Sequence, residues 1–355
     1  MLNSLRISQF RAFKDLKIDR LGRINLVVGR NNLGKTTLLE AVYLYASDNT
    51  LDTLNRVLKR RQEYFIEKGG EVISYDNLFC RNTEQLAPIE IGEIQGKNQL
   101  VIRRMWRFAD VVEAEERLQV RYSEHLPDDP EIDATEVLTA KRGQNNFESM
   151  SIDSGRYSRR LRQKQDGLSS SLFLPFSGFQ DDSVDPAELW DRVAVTNKDS
   201  DVLSALKIIE PGLERIIMVA NRPQRQAMAK LPEQLQHIPL RSLGDGMNRL
   251  FELALGLVSV PEGKIFLVDE IDAGLHFTTL VDVWRLVFQA AEALNIQVFA
   301  TTHSWDCIEA FQQAAVEHLA EGCLIRLEKG EEGIRAEVFS EEDLTIITRK
   351  SIEVR

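Results

Sequence analysis

A glycine-rich segment, GRNNLGKT at residues 29–36, most constrains how this chain can fold. The β-branched run before it, residues 24–28, predicts a buried strand, and residues 36–46 after it predict a helix. The spacing fits the pattern G-x-x-x-x-G-K-[ST], in which backbone N–H groups and the helix dipole surround a bound phosphate. The residues expected to contact that ligand are Gly29, Asn31, Asn32, Gly34, Lys35, Thr36 and Thr37. In this arrangement Lys35 would contact the β- and γ-phosphate oxygens, and the Thr36 hydroxyl would coordinate Mg²⁺.

Two later strand-like runs also end in side chains suited to phosphate chemistry. Residues 265–268 are apolar and lead into Asp269 and Glu270. Carboxylates at the carboxyl end of a parallel strand point into the crevice where open α/β sheets bind ligands. Asp269 is therefore a candidate Mg²⁺ ligand and Glu270 a candidate general base for an attacking water, although a strand that ends in solvated acids is common.

The second run, residues 296–300, is followed by Thr-Thr-His-Ser at 301–304. A lone histidine is usually structural. Because His303 follows a strand of the same predicted sheet, we expect it to contact the γ-phosphate or the attacking water.

A fourth segment, SLGDG at residues 242–246, begins a predicted amphipathic helix over residues 247–260. Small residues at a helix N-terminus form an anion site, so Ser242, Gly244 and Gly246 are candidate phosphate contacts. A helix cap would explain the serine equally well. The phosphate interpretation gives one chain two phosphate sites, whereas one nucleotide needs only one.

In this order the four segments resemble the heads of ABC-type ATPases. The nearest branch is that of the AAA-family ATPases similar to the overcoming-lysogenization-defect (OLD) proteins and to the RecF and SMC heads. The resemblance is carried by residues 10–42, 241–250, 267–276 and 297–304. It implies ATP and Mg²⁺ as ligands and a homodimer, or a higher oligomer, in which Ser242 to Gly246 of one chain close over the ATP of the other. It also implies that Asp272 to Leu275 couple the two sites. The signature departs from the usual LSGGQ at Leu243 and Asp245.

The same resemblance predicts an α/β P-loop NTPase of the ABC-ATPase head type. Its mixed central sheet would have helices on both faces, with an N-terminal antiparallel β-lobe and a helical and loop-rich insertion. We expect an N-terminal ATPase lobe at 1–48, an insertion at 49–235 and a C-terminal ATPase lobe at 236–355. Within the insertion, residues 51–68 and 185–193 predict helices, 89–108 predict antiparallel strands, and the polar stretch 126–167 predicts a loop-rich excursion. Sustained heptads are missing, so a long coiled coil is not expected.

Composition narrows the class of protein. The chain has 355 residues, and its net charge of −11 disfavours nucleic-acid binding over the whole surface. Contact with a DNA backbone remains the minority interpretation of two basic clusters, whose commoner role is a solvated face. These clusters are Arg156, Arg159, Arg160, Arg162 and Lys164, and Lys59, Arg60 and Arg61. The scattered Cys80, Cys307 and Cys323, and the lack of a long apolar run or signal peptide, predict a cytoplasmic protein with no membrane partner.

A few further residues are weaker candidates for nucleotide contact. Phe10, Arg11 and Phe13 could lie near an adenine, although packing of the phenylalanines is the commoner explanation. Gln180 is a weak candidate for a glutamine loop. The segment after His303 is short, so we expect any nuclease to be a separate effector protein. The leading function is an ATPase whose ATP-gated dimer drives such an effector in DNA repair or phage defence. The alternatives are a transporter's nucleotide-binding subunit, disfavoured by the long separation between loop and signature, and a scaffold with little turnover.

Overall fold

The computed structural model describes residues 1–339 and residue 343, apart from 68–69, 81–86, 113–116, 130, 144–145, 153–170, 180–183, 222–223, 233 and 319–320. The strands of the central sheet are β3 (Ile24–Val28), β11 (Leu172–Leu174), β15 (Ile265–Val268), β16 (Gln297–Thr301), β17 (Gly322–Lys329) and β18 (Ile334–Phe339). Their order is β11-β15-β16-β3-β17-β18, and only the β17–β18 pairing among them is antiparallel. The carboxyl ends of β3, β15 and β16 therefore meet at one edge of the sheet.

Alternate residues of this sheet enter two different hydrophobic cores. Leu26, Val268 and Ala300 pack into one core with α5 (Asp245–Ser259), α6 (Leu280–Ala293) and α7 (Trp305–Ala315). Val27 and Leu267 pack into the other core, with α1 (Lys35–Ala46) and α2 (Thr50–Arg60). Strands that are buried on both faces are continuously apolar, which explains the unbroken hydrophobic runs in the sequence. The predicted mixed sheet with helices on both faces is confirmed.

The second core is closed by an antiparallel lobe sheet in the order β10-β9-β7-β6-β1-β2, with β8 paired to β7. Its strands are β1 (Leu5–Phe10), β2 (Phe13–Ile18), β6 (Ile89–Gly92), β7 (Leu100–Val112), β8 (Arg117–Ser123), β9 (Ala134–Arg142) and β10 (Asn146–Ser151). β4 (Tyr64–Glu67) and β5 (Gly70–Ile73) form a separate hairpin. The domain boundaries remain predictions, and in space the lobe sheet joins strands from both sides of residue 48.

The remaining described elements lie against the first core. They are the helices α3 (Pro186–Val195) and α4 (Asp199–Leu206) and the antiparallel strands β12 (Arg215–Asn221), β13 (Gln224–Lys230) and β14 (Ile238–Pro239). A 3₁₀ turn at Leu240–Leu243 then leads into α5. No helix in the described part of the chain is long and apolar enough to cross a membrane.

Two local predictions were wrong. Residues 51–68 do not form one helix, because Gln62 adopts a φ of 57° after α2 ends and the chain continues as β4. The stretch 126–167 is not only loop, since β9 and β10 form a hairpin within it. Leu138 and Ala140 enter the lobe core, and Val137 and Thr139 on the opposite face of β9 are buried as well, so the polar composition of the whole stretch concealed a strand with a buried centre.

Gly256 lies in the middle of α5, where a side chain has no room. An added Cβ would lie 2.5 Å from Cζ of Phe266, a fully buried residue of β15. We expect Gly256→Ala to lower the free energy of unfolding by about 1–3 kcal/mol through overpacking, although alanine is favoured over glycine in an open helix by about 1 kcal/mol. Urea unfolding followed by circular dichroism measures this difference, and a stabilised variant would contradict the packing.

Candidate functional site

The phosphate loop, residues 29–36, connects β3 to α1 in a conformation that requires its glycines. Gly29 has a φ of 141° and Gly34 a φ of 86°, in the region that side chains disfavour. A Cβ on Gly34 would lie 2.8 Å from the Phe13 ring, and one on Gly29 would lie 2.5 Å from the Leu327 carbonyl oxygen. The loop is therefore pressed between the lobe and β17, and Asn31 and Asn32 are exposed on its outer side.

Lys35 is the cation of this loop. Its Nζ donates to the Gly29 carbonyl at 2.7 Å and to the Arg30 carbonyl at 3.3 Å. Burial lowers the pKa of Lys35 below its ordinary value, and the Glu270 and Asp269 carboxylates offset part of that shift. Phosphate oxygens would favour the charged ammonium, so the side chain is well placed to exchange carbonyl contacts for an anion.

Asp269 joins three segments that are distant in sequence. Its carboxylate accepts hydrogen bonds from Thr36 Oγ1 at 3.0 and 3.2 Å and from Thr301 Oγ1 at 2.7 Å. The carboxyl end of β15, the start of α1 and the end of β16 are thereby held together. Hydroxyl and carboxylate oxygens are the donors that Mg²⁺ prefers, so Thr36 and Asp269 fit the metal that the sequence implies.

Glu270 and His303 face each other beside this cluster. Glu270 has a φ of 47°, and its N–H donates to Thr301 Oγ1 at 2.8 Å, which turns the chain sharply after the strand. His303 Nδ1 lies 3.9 Å from Glu270 Oε1, and both side chains are partly open to solvent. The structure thus places both predicted catalytic side chains at the sheet edge that carries the phosphate loop.

The coupling loop, residues 272–275, lies between this edge and the signature. Asp272 accepts a hydrogen bond from Thr302 Oγ1 at 2.7 Å. At the other end of the loop, a Cβ added to Gly246 would lie 2.6 Å from the Gly274 carbonyl oxygen. The loop therefore contacts both the segment that carries His303 and the N-terminus of α5.

The signature turn, residues 242–246, opens toward solvent at that N-terminus. Ser242 and Gly244 are exposed, and Gly244 has a φ of 106° with no atom within 4 Å of a Cβ placed there. Among the described residues, no hydrogen bond links the turn to the phosphate loop of the same chain. The structure brings the loop, Asp269, Glu270 and His303 together, and it leaves Ser242, Gly244 and Gly246 outside that cluster.

Arg249 is a residue of this region that sequence reasoning missed. It is buried on α5, where Nη2 donates to the carbonyls of Asp269 at 2.5 Å and Glu270 at 3.0 Å, and Nη1 donates to Pro175 at 2.8 Å. The guanidinium thus ties the signature helix to the backbone of the predicted catalytic carboxylates. The sequence offered one sign of its role: Arg249 precedes the apolar Leu250 in a helix whose surface is mostly buried.

A network of buried ion pairs contacts α1, the helix that follows the phosphate loop. Glu40 of α1 pairs with Arg61 at 2.6 Å and with Arg11 at 3.4 Å, and Arg11 pairs with Glu63 at 2.6 Å. Arg61 also donates to Thr37 Oγ1 at 3.2 Å. Thr37 is buried, so its hydroxyl faces this network.

The network and its surroundings decide several weaker predictions. Phe10 and Phe13 are fully buried in the lobe core, so packing explains both. In the cluster at 59–61, Lys59 pairs with Glu71 and Arg60 lies over the Phe173 ring at 4.5 Å. The Lys59–Glu71 pair is exposed, whereas Arg60 makes an internal contact, and contact of this cluster with a DNA backbone stays a prediction. Gln180 and the cluster at residues 156–164 lie outside the described residues.

Comparison with known proteins agrees with this geometry. The family model described as "AAA domain, putative AbiEii toxin, Type IV TA system" matches residues 24–306. This span includes the phosphate loop, the signature turn, Asp269, Glu270 and His303. The chain belongs to this AAA-domain family. It is an ATPase of the ABC type, which confirms the family that the sequence motifs predict.

Individual proteins are similar to different shares of this chain. An "ATP/GTP phosphatase" of Helicobacter pylori is 24% identical in an alignment of 349 residues, gaps included, and the match covers 89% of this chain and 89% of that protein. The "DNA replication and repair protein RecF" of Oenococcus oeni is 39% identical over 74 residues, covering 21% of this chain and 20% of that protein. The structure titled "Crystal structure of the SmcHead bound to the C-winged helix domain of ScpA" superposes with a TM-score of 0.51 at 13% identity, covering 98% of this ATPase and 99% of that chain. The last similarity shows the shared fold.

Replacing Arg249 tests whether it positions the catalytic edge. We expect Arg249→Met to lower kcat for ATP hydrolysis by about 10- to 100-fold with a smaller change in KM, because misplacement of the Glu270 backbone affects chemistry more than binding. Arg249→Lys keeps a positive charge but lacks the planar guanidinium whose two nitrogens reach carbonyls on separate segments, so its kcat should be intermediate. Arg285→Met is the matched control, since Arg285 forms only exposed pairs with Asp282 and Glu317. Unchanged kcat in Arg249→Met would contradict the assignment.

Proposed function

We propose that this ATPase works as an ATP-gated homodimer, or a higher oligomer built from such dimers, whose closure drives a separate effector protein. The observation that carries the proposal is the signature turn. The turn is exposed, and the positive φ of Gly244 suits an anion-binding turn. Among the described residues, the turn forms no hydrogen bond with the phosphate loop of its own chain. A second copy could supply the missing phosphate, which gives two equivalent sites across a two-fold axis.

Each site would hold ATP through the phosphate loop, with Lys35 on the phosphates and Thr36 and Asp269 holding Mg²⁺. When bound, Mg²⁺ supplies positive charge that neutralises the phosphate oxygens. Glu270 would orient the attacking water and accept its proton, and His303 would contact the γ-phosphate or that water. Ser242, Gly244 and Gly246 would close the site from the partner chain.

Coupling requires that the closed dimer bind ATP more tightly than the open one. The coupling loop supports this, because it lies against both the His303 segment and the signature helix. The RecF relatives suggest that the effector acts on DNA in repair or maintenance, and the OLD resemblance suggests phage defence. We propose that a partner such as a nuclease carries out that step, and that the protein works in the cytoplasm.

The catalytic assignment predicts different defects for two variants. Glu270→Gln should retain ATP binding, lose hydrolysis by at least about 100-fold and accumulate closed dimer, because only the base is removed. Lys35→Ala should weaken ATP binding itself. Steady-state hydrolysis and light scattering with ATP and Mg²⁺ measure these properties. Equal turnover in wild type and Glu270→Gln would overturn the assignment, and negligible turnover in wild type would favour the scaffold alternative.

Mixing two inactive variants tests whether the signature acts in trans. In a heterodimer of Lys35→Ala and Ser242→Arg chains, one composite site carries both defects and the other carries neither. Random pairing makes half of the dimers mixed, so we expect about a quarter of wild-type hydrolysis to return if the two sites act independently. Each variant alone, at the same total concentration, is the control. A mixture no more active than its components would contradict the shared site.

A further inference from the structure

The lobe sheet carries a second cleft, separate from the phosphate-loop edge. Its volume is about 880 Å³, and it is lined by β7, β8, β9, β10 and the turn before β7. A cleft of this size fits a small organic ligand or a short segment of a polymer. Because the ATP site is formed at the carboxyl ends of the central strands, this cleft has no part in the proposed hydrolysis.

Positive charge is concentrated around the cleft. Lys97, Arg103 and Lys141 line it, and no acidic side chain appears among its described lining residues. Arg103 pairs with Glu124, whereas Lys97 and Lys141 have no ion pair within the described part of the chain. The described lining thus carries two lysines without a carboxylate partner, although the whole protein has a net charge of −11. The cleft therefore attracts an anion.

Aromatic rings form the other part of the wall. Tyr122 and Phe147 meet edge to face with centroids 5.0 Å apart, and the Tyr122 hydroxyl bonds Ser149 at 3.1 Å. Tyr122 is thereby fixed, while the Phe147 side chain is 49% exposed. An exposed ring beside cations offers a planar apolar surface next to phosphate-binding groups, which is the combination that holds an unstacked base and its backbone.

We propose that this cleft binds nucleotides of a single-stranded nucleic acid, with a base against Phe147 and phosphates near Lys97, Arg103 and Lys141. A free mononucleotide offers the same chemistry, and the experiment separates the two sources. A duplex keeps its bases stacked inside and cannot use Phe147 in this way.

The test measures fluorescence anisotropy of a labelled oligothymidylate on the full chain, with ADP and Mg²⁺ saturating the phosphate loop. Phe147→Ala should weaken binding by about fivefold or more, because fivefold is the smallest loss expected when one base no longer stacks on an aromatic ring. Phe147→Trp should restore binding. Phe65→Ala is the matched control, because Phe65 is also 49% exposed but lies on the separate hairpin of β4 and β5.

Salt dependence tests the cations independently of the ring. Three phosphate contacts predict a slope of log affinity against log salt of about −2, and removing one lysine should make it shallower by about 0.7. Lys97→Ala and Lys141→Ala should each show this change, whereas Lys207→Ala, at an exposed lysine after α4, should not. Circular dichroism melting confirms that each variant is folded.

Competition identifies the source of the nucleotide. Displacement by unlabelled oligothymidylate at far lower concentration than by thymidine monophosphate supports a nucleic-acid strand, and equal displacement supports a free nucleotide. The proposal is overturned if neither ligand binds, if the cleft variants bind like wild type, or if a duplex binds equally well and Phe147→Ala has no effect.

Discussion

The hydrogen bonds accepted by the Asp269 carboxylate are the interactions on which the rest of the site depends. Thr36 and Thr301 both donate to it, so one side chain fixes the start of α1 and the ends of β15 and β16 relative to one another. Thr301 also receives the Glu270 N–H, which holds Glu270 in an unfavourable backbone conformation. Strain of this kind persists only where neighbouring bonds over-determine it, and here it turns a carboxylate into the crevice.

The same edge of the sheet is joined to the signature helix by backbone contacts. Arg249 donates to the successive carbonyls of Asp269 and Glu270, and it also donates to the carbonyl of Pro175, just after β11. Gly246 has no space for a side chain because Gly274 approaches it. A displacement of the catalytic edge by even a few tenths of an ångström would therefore be felt at the N-terminus of α5, since packed interiors transmit strain.

Sequence reasoning located the site residues that directly follow apolar strands and missed those whose role depends on partners distant in sequence. The phosphate loop, Asp269, Glu270 and His303 follow apolar strands, and strand ends in a parallel sheet converge by topology, so their proximity could be predicted. Arg249 could not, because its acceptors are main-chain carbonyls that leave no trace in sequence. The contacts of Arg60 and Arg61 were missed for a related reason, since their partners Phe173 and Glu40 are distant in sequence. The β9–β10 hairpin was hidden because its run of buried residues, Val137 to Ala140, is short and lies within a long polar stretch.

The two cores explain how the proposed cleft and the ATP site could influence each other. α1 begins at the phosphate loop and packs into the same core as the lobe sheet, whereas α5 and the signature belong to the core on the opposite face of the central sheet. Movement between the two layers would thus carry the phosphate loop and the lobe as one body. Thr36 at the start of α1 meets this sheet edge at the Asp269 carboxylate, and Arg249 of α5 meets it at the Asp269 and Glu270 carbonyls. We therefore expect a ligand on the lobe to affect hydrolysis through this edge of the sheet, because differential stabilisation of one arrangement is the only means by which a distant ligand can act.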